Sequence, residues 1–260
     1  MKIKKQLVLA LFITANICIA NEPSSYDQKK INGTPDLEQN CTAAKFYKNG
    51  GLYCCPVAVS DSLVWLIKKD LLSYPYSTPK DQYSLVKKLA TDEYLKTDTH
   101  KGTGAYSLTS GLQAFLSKYG VKNFTIKHCG WRSCKSIFND QADLTPEWIK
   151  DNISGNRVQW LNIGWYRKEK NHLYHVGGHW LTVVGYRSNK CYALDPSPRN
   201  GKKKKVHILT ISKAKQVNLR GETTGLPETS EGMFEIKNGM IFKSTADVCL
   251  IDSAVSLNIK

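Results

Sequence analysis

Residues 53–60 read YCCPVAVS, and they predict the start of a buried helix. A proline fits the first turn of a helix because its missing N–H would have no partner there. Apolar residues continue at Leu63, Val64 and Ile67, a spacing that indicates a helix of about four to five turns. Cys54 lies at the start of this helix, where free amides and the helix dipole stabilise a thiolate.

Two later segments supply partners for such a thiolate. Residues 178–186 read GHWLTVVGY, and residues 193–196 read ALDP. The first segment predicts a strand that carries His179, and the second predicts Asp195 at the end of the next short strand. A hairpin would bring Asp195 back to His179. Cys, His and Asp in this chain order suit a thiol hydrolase, in which the sulfur attacks, the imidazole moves the proton and the carboxylate orients the imidazole.

The sequence pattern changes from helices in the first half to strands in the second. Further helices are predicted around residues 81–94 and 108–119, and one more begins after Thr145. Segments rich in β-branched and aromatic residues predict strands over 157–166, 178–187, 190–194, 206–211, 234–242 and 248–257. Helices followed by antiparallel strands predict an α+β fold of two packed lobes. A nucleotide-binding βαβ fold is excluded because no Gly-rich phosphate loop lies between a strand and a helix.

The amino terminus has the pattern of a secretory signal. A lysine-rich start is followed by an apolar run that ends at the small residue Ala20. This pattern predicts a signal peptide over residues 1–20 and a secreted or periplasmic protein with no membrane association after cleavage. The polar residues 21–45 are predicted to form an extended N-terminal arm, and residues 46–260 to form one domain.

The cysteine count agrees with a reactive thiol. Eight cysteines are present, and Cys18 falls in the signal segment, which leaves seven. In an oxidising compartment three disulfides would leave one thiol unpaired. The pairs considered are Cys129–Cys134, Cys191–Cys249 and Cys41–Cys55. The alternative is a smaller number of disulfides with several buried reduced thiols.

The chain is strongly basic, with a formal net charge of +15 and four consecutive lysines at residues 202–205. We expect the lysine run to be a solvated loop. Neither a basic groove with interleaved aromatics nor a zinc-finger spacing is present, so specific nucleic-acid binding is not predicted. His172, His175 and His179 suggest a zinc site, but no nearby cysteine or acid completes the ligand set, so we predict no metal and no cofactor.

These motifs resemble those of the papain-like cysteine peptidases, and most closely the branch that processes bacteriocin leaders after a double glycine. Residues 54–58 are similar to the family's Cys-(Gly/Ala)-Pro-(Ala/Thr) opening, residues 178–186 to its Gly-His-x-Val-Val-Val-x-Gly strand, and residues 194–196 to its Asp-Pro. The resemblance implies an N-terminal helical lobe packed on a C-terminal antiparallel β lobe with a cleft between them. It also implies a Cys54 nucleophile, a His179 base, an Asp195 orienting acid, and a peptide or protein substrate.

The chain departs from the family pattern at two positions. Cys55 replaces the small residue that follows the nucleophile, so either Cys54 or Cys55 is the free thiol, and the position at the helix start favours Cys54. The family's upstream oxyanion glutamine would fall at Lys48. The neighbouring Asn49 is a candidate oxyanion donor, and the alternative is that it is only a turn residue before two glycines.

Two other functions fit the same residues. A transglutaminase-like acyltransferase also uses Cys, His and Asp in this order. A secreted binding module that kept the fold and lost turnover would explain the missing glutamine. Substrate specificity and oligomeric state are left open by the sequence.

Overall fold

The computed structural model describes residues 26–97, 100, 102–200, 206–221 and 227–260. The signal peptide predicted over residues 1–20, the first five residues of the arm and the lysine run at 202–205 lie outside the described residues. Five α-helices and eight β-strands form in the described part, which is the α+β class predicted from the sequence. None of these helices is both long enough and apolar enough to cross a membrane.

The helices belong mainly to the first half of the chain. They are α1 (Gln28–Gly33), α2 (Cys54–Ile67), α3 (Pro79–Ala90), α4 (Ala105–Lys118) and α5 (Pro146–Asp151). Helix α2 is buried from Cys55 to Leu66 and forms the centre of this lobe. Leu85 of α3 and Phe115 of α4 pack in the same core, because the apolar residues of both helices recur at helical spacing.

The strands form one mostly antiparallel sheet. They are β1 (Phe124–Gly130), β2 (Arg157–Glu169), β3 (His172–Arg187), β4 (Lys190–Leu194), β5 (His207–Lys213), β6 (Asn218–Gly221), β7 (Phe234–Asn238) and β8 (Val248–Ile259). Their order is β1-β8-β2-β3-β4-β5-β7, and β6 pairs in parallel with β3. Strand β7 also pairs with β8, so six of the strands close into a ring. Ile163, Leu181, Leu209, Ile236 and Ile251 belong to the core of this ring.

The sequence pattern predicted an extended N-terminal arm, but the described part of the arm contains a helix. Residues 26–45 contain α1 and a short 3-10 turn at Thr42–Ala44. The Asp27 carboxylate accepts a hydrogen bond from the amide of Lys29 (2.8 Å) and caps α1. Ile31 then packs in a small apolar cluster with Val184 and Leu194 of the sheet. A single apolar residue in a polar stretch produces no periodicity, and for that reason the sequence pattern did not predict α1.

Side-chain hydrogen bonds join the helical lobe to the sheet. The carbonyl oxygen of Ala58, one turn into α2, accepts from Trp160 Nε1 (3.0 Å) and from Thr182 Oγ1 (2.9 Å). Trp180 Nε1 donates to the carbonyl oxygen of Thr103, which precedes α4 (2.8 Å). The two bonds to Ala58 fix the start of α2 relative to β2 and β3, and the third fixes the segment before α4 relative to β3.

Candidate active site

A cleft of about 390 Å³ opens between the helical lobe and the sheet. Cys54 and residues 102–104 line it from the helical side. Asn162 of β2 and His175 and His179 of β3 line it from the sheet side. The sequence-predicted thiol and imidazole therefore meet in one cleft.

A tight turn delivers Cys54 to this cleft. Lys48 and Asn49 have left-handed backbones (φ of 48° and 53°), and Gly50 follows with a φ of 72°. A Cβ on Gly50 would collide with the carbonyl oxygen of Gln39, so only glycine fits there. The chain then enters α2 at Cys54, which is the first residue of the helix. Its backbone N–H has no acceptor one turn earlier in the helix, and it remains available near the sulfur.

The two adjacent cysteines have different surroundings. Cys54 is half-buried at the cleft, and it lies close enough to His179 to raise the pKa of that imidazole. Cys55 is fully buried in the core of the helical lobe. Burial and the neighbouring Cys54 raise the pKa of the Cys55 thiol well above its usual value, although a hydrogen bond with Thr103 acts in the opposite direction. The geometry therefore favours Cys54 as the reactive thiol of the pair.

His179 is held between the thiol and a buried carboxylate. Its Nε2 hydrogen-bonds Oδ1 of Asp195 at 2.6 Å, and both side chains are almost inaccessible to solvent. Asp195 follows β4 directly, and the amide of Ser197 donates to the same Oδ1 (2.8 Å). Arg199 Nη2 lies 3.6 Å from the other carboxylate oxygen. These contacts fix the carboxylate, which in turn fixes the orientation of the imidazole.

The protonation of His179 follows from these neighbours. Burial of the ring alone lowers its pKa, but the Asp195 charge, the hydrogen bond to Asp195 and the contact with Cys54 outweigh burial and raise the pKa to about 9. Burial would also raise the pKa of Asp195, yet His179, Ser197 and Arg199 together hold it below its usual value. An imidazolium flanked by a carboxylate is thus the favoured state at neutral pH.

Trp165 packs against the His179 ring, and no sequence motif had indicated this contact. Its ring stacks on the His179 imidazole with centroids 6.0 Å apart and an interplanar angle of 29°. The Arg199 guanidinium lies over the same indole, 5.2 Å from its centroid. A ring in this position keeps water away from the hydrogen bond between imidazole and carboxylate.

The predicted oxyanion residue lies elsewhere. Asn49 is exposed on its left-handed turn and is not among the described residues that line the cleft. The structure therefore gives no support to Asn49 as an oxyanion donor. Asn162, which the sequence analysis did not single out, is a buried side-chain amide at the cleft. Only the pairing of β2 with β3 brings it there, because its register partner is Trp180, next to His179.

All seven cysteines of the described chain carry free thiols. The considered pairs Cys129–Cys134, Cys191–Cys249 and Cys41–Cys55 are therefore not formed in this structure. Cys129 instead donates to the carbonyl oxygen of Ala142 (2.9 Å). Burial raises the pKa of Cys191 to about 12, and the same cause raises that of Cys249. Buried thiols of this kind are chemically inert.

The three histidines of β3 do not form a metal site. His175 contacts Arg132 and His179 contacts Asp195, while His172 lies at the far end of the strand, opposite Glu169. Within the described ranges, no group of three or more His, Cys, Asp or Glu side chains is placed to hold a metal ion.

Comparisons of the chain with models of known protein families, with curated proteins and with solved structures found no match.

Proposed function

We propose that this protein is a papain-like thiol hydrolase, a cysteine peptidase that acts through Cys54, His179 and Asp195. One observation carries the proposal: a thiol at a helix start shares a cleft with an imidazole whose Nε2 is bound to a buried carboxylate. The cleft between a helical lobe and a β lobe supports the likeness to the papain-like family. The basic and apolar pattern of residues 1–20 supports export as part of the proposal.

The proposed reaction begins from an ion pair in which His179 already holds the proton and the Cys54 sulfur is the thiolate. The thiolate attacks the scissile carbonyl carbon, and the oxyanion that forms accepts a hydrogen bond from the backbone N–H of Cys54. The imidazolium then donates its proton to the leaving amine, and a thioester remains on Cys54. His179 next takes a proton from water, which attacks the thioester and releases the acid and the Cys54 thiolate, so that the starting ion pair is restored. Asp195 keeps the imidazole oriented in both halves.

The test compares Cys54→Ala with Cys134→Ala, which removes another half-buried thiol of the described chain. The wild-type protein and Cys134→Ala should cleave an unstructured protein substrate and should be alkylated rapidly by iodoacetamide at Cys54. Cys54→Ala and His179→Ala should lose turnover while the circular dichroism of both variants stays native. Full cleavage by Cys54→Ala would contradict the proposal.

The same samples distinguish the alternative functions. Incorporation of a primary amine into the substrate without net cleavage would indicate a transglutaminase-like acyltransferase. A Cys54 that reacts no faster with iodoacetamide than a free model thiol would indicate a binding module without turnover.

A further inference from the structure

A second polar cluster reaches the same cleft through Arg132 and His175, and the proposed chemistry does not use it. Arg132 follows β1, and its Nη2 and Nε donate to Asp252 Oδ2 of β8 at 2.6 and 3.1 Å. Tyr166 donates its hydroxyl to the other oxygen of Asp252 (3.1 Å). The same Nη2 of Arg132 lies 3.2 Å from Nε2 of His175.

The backbone around Asp252 is shaped to hold this buried carboxylate. The pairing of β8 with β2 skips one residue, because Asn162 faces Ser253 and the next residue, Ile163, faces Ile251. Asp252 is therefore the extra residue of a β-bulge, a feature that redirects a side chain and is frequent beside active sites. A Cβ on Gly164 would lie 2.7 Å from Asp252 Oδ1, so glycine makes the necessary space.

A second glycine, Gly130, allows the chain that leads to Arg132 to approach the backbone of β8 closely. Gly130 ends β1 with a φ of 120°, and a Cβ there would lie 2.6 Å from the carbonyl oxygen of Asp252. The amide of Trp131 then donates to that same carbonyl (3.1 Å). Arg132 is thus fixed by backbone and side-chain contacts before any ligand binds.

Within this cluster, the Arg132 guanidinium faces the cleft and its partner carboxylate does not. Asp252 is fully buried and is not among the described residues that line the cleft, whereas Arg132 lines it with 16% of its side chain exposed. Burial, Arg132 and Lys243 lower the pKa of His175 to about 4, so this ring is neutral at pH 7. A ligand in the cleft therefore meets the guanidinium face of the pair and not its carboxylate.

We propose that Arg132 binds a carboxylate of the peptide substrate and makes this protein selective for acidic substrates. The proposal rests on the peptidase function proposed above and adds the chemical class of its substrate. A guanidinium presents several N–H donors in one plane and suits a carboxylate better than an ammonium does. The net positive charge, +15 for the full chain and +12 without the three lysines of residues 1–20, would also draw acidic chains toward the protein. The carboxylate belongs either to an acidic side chain or to the chain terminus of the substrate.

The first experiment reads anion binding without requiring peptide cleavage. Cys54 is alkylated with iodoacetate, which is anionic, and with iodoacetamide, which is neutral and of nearly the same size. The ratio of the two rates reports how strongly the cleft favours an anion beside the sulfur. Removal of the guanidinium should lower this ratio by about fivefold, while the iodoacetamide rate stays the same.

The variant is designed so that it does not leave a buried charge unpaired. Arg132→Met alone would leave the buried carboxylate of Asp252 without its cationic partner. The double substitution Arg132→Met with Asp252→Asn is therefore used, in which the amide oxygen of residue 252 still accepts a hydrogen bond from Tyr166. The control is Arg167→Met, which removes an exposed cation of β2 that pairs with Glu169. The control should keep the wild-type ratio.

The second experiment uses matched peptides with the wild-type protein alone, so it does not depend on the folding of a variant. Aspartate is compared with asparagine at each position around the scissile bond, and a C-terminal carboxylate is compared with its amide. The acidic member of one pair should have a kcat/KM about tenfold higher. Preference in the first set indicates a side-chain carboxylate, and preference in the second indicates the chain terminus.

The outcomes separate this inference from the proposed function. An unreactive Cys54 would overturn the peptidase proposal itself. Three results together would overturn only the role given to Arg132. Cys54 would react rapidly with iodoacetamide, the double variant would keep the wild-type alkylation ratio, and acidic and neutral peptides would be cleaved at equal rates.

Discussion

At the scale of single residues, the chemistry depends on where the proton of His179 is kept. The imidazole is buried, and burial by itself would favour the neutral ring. The carboxylate of Asp195, 2.6 Å away and nearly inaccessible to solvent, reverses that preference. Because little water screens this contact, it outweighs the cost of burial. The result is a proton donor that keeps its proton above neutral pH.

This proton should set the alkaline limit of the proposed activity. The pKa of His179 is raised to about 9, so the imidazolium is present below that pH and is lost as the pH rises through it. Peptide hydrolysis should therefore decline with an apparent pKa of about 9, because the leaving amine no longer receives a proton. In Asp195→Asn the decline should move to lower pH by about one to three units. A profile of kcat/KM against pH measures both values.

The control for this prediction is Asp140→Asn. Asp140 pairs with Lys127 outside the residues described as lining the cleft, so its substitution removes a carboxylate without touching His179. Its alkaline limit should stay at the wild-type value. An unmoved limit in Asp195→Asn would show that Asp195 does not control the pKa of His179.

The sequence predicted the residues that belong to short local motifs and missed those that depend on strand pairing. Cys54, His179 and Asp195 each lie at a recognisable helix start, strand or strand end. The structure places Cys54 and His179 at one cleft, with Asp195 bonded to His179. Arg132 and Asp252 are 120 residues apart. Their contact depends on a bulge in β8, and one sequence carries no signal for the register of two distant strands.

At the scale of elements, α1 shows how a polar segment is fastened to the fold. Lys30 is buried, and its Nζ donates to the carbonyl oxygens of Ile153 (3.0 Å), Gly155 (3.3 Å) and Arg157. The same ammonium lies 4.5 Å from the centroid of the Trp65 ring in α2. One side chain therefore connects the arm, the helical lobe and the start of β2. The longer helices and most strands were predictable from their apolar periodicity, but α1 depends on this distant contact.

Lys30→Met should destabilise the protein by about 2 kcal/mol. Methionine keeps the apolar stem against Trp65 but removes the donor from one buried and two partly buried carbonyl oxygens. A buried acceptor left without its donor costs about 1 kcal/mol or more, and the two partly buried ones recover part of the loss by bonding water. The matched control is Lys29→Met, because Lys29 is exposed on the same helix. Urea unfolding of both variants measures the difference. Equal stability of the two variants would contradict the anchoring role of Lys30.

At the scale of the whole molecule, catalysis by this cleft requires two lobes in a fixed relation. Cys54 belongs to α2 and His179 to β3, so an error in lobe placement separates the thiol from the imidazole. The Ala58 carbonyl accepts two bonds from the sheet within one turn of Cys54. The closed ring of strands behind β3 gives that anchor a rigid base.

Thr182→Val removes one of these two anchoring bonds and keeps the shape of the side chain. We expect a loss of about 1 kcal/mol in the free energy of unfolding and a fall in kcat of about tenfold, since a small misplacement of reacting groups slows the chemical step. Thr109→Val is the matched control, because the buried hydroxyl of Thr109 bonds only Ala105 and Tyr106 within α4. It should lose similar stability and keep the wild-type kcat. If both variants lose activity equally, the effect comes from general destabilisation. A loss of kcat confined to Thr182→Val shows that the contact between the lobes positions the thiol for attack.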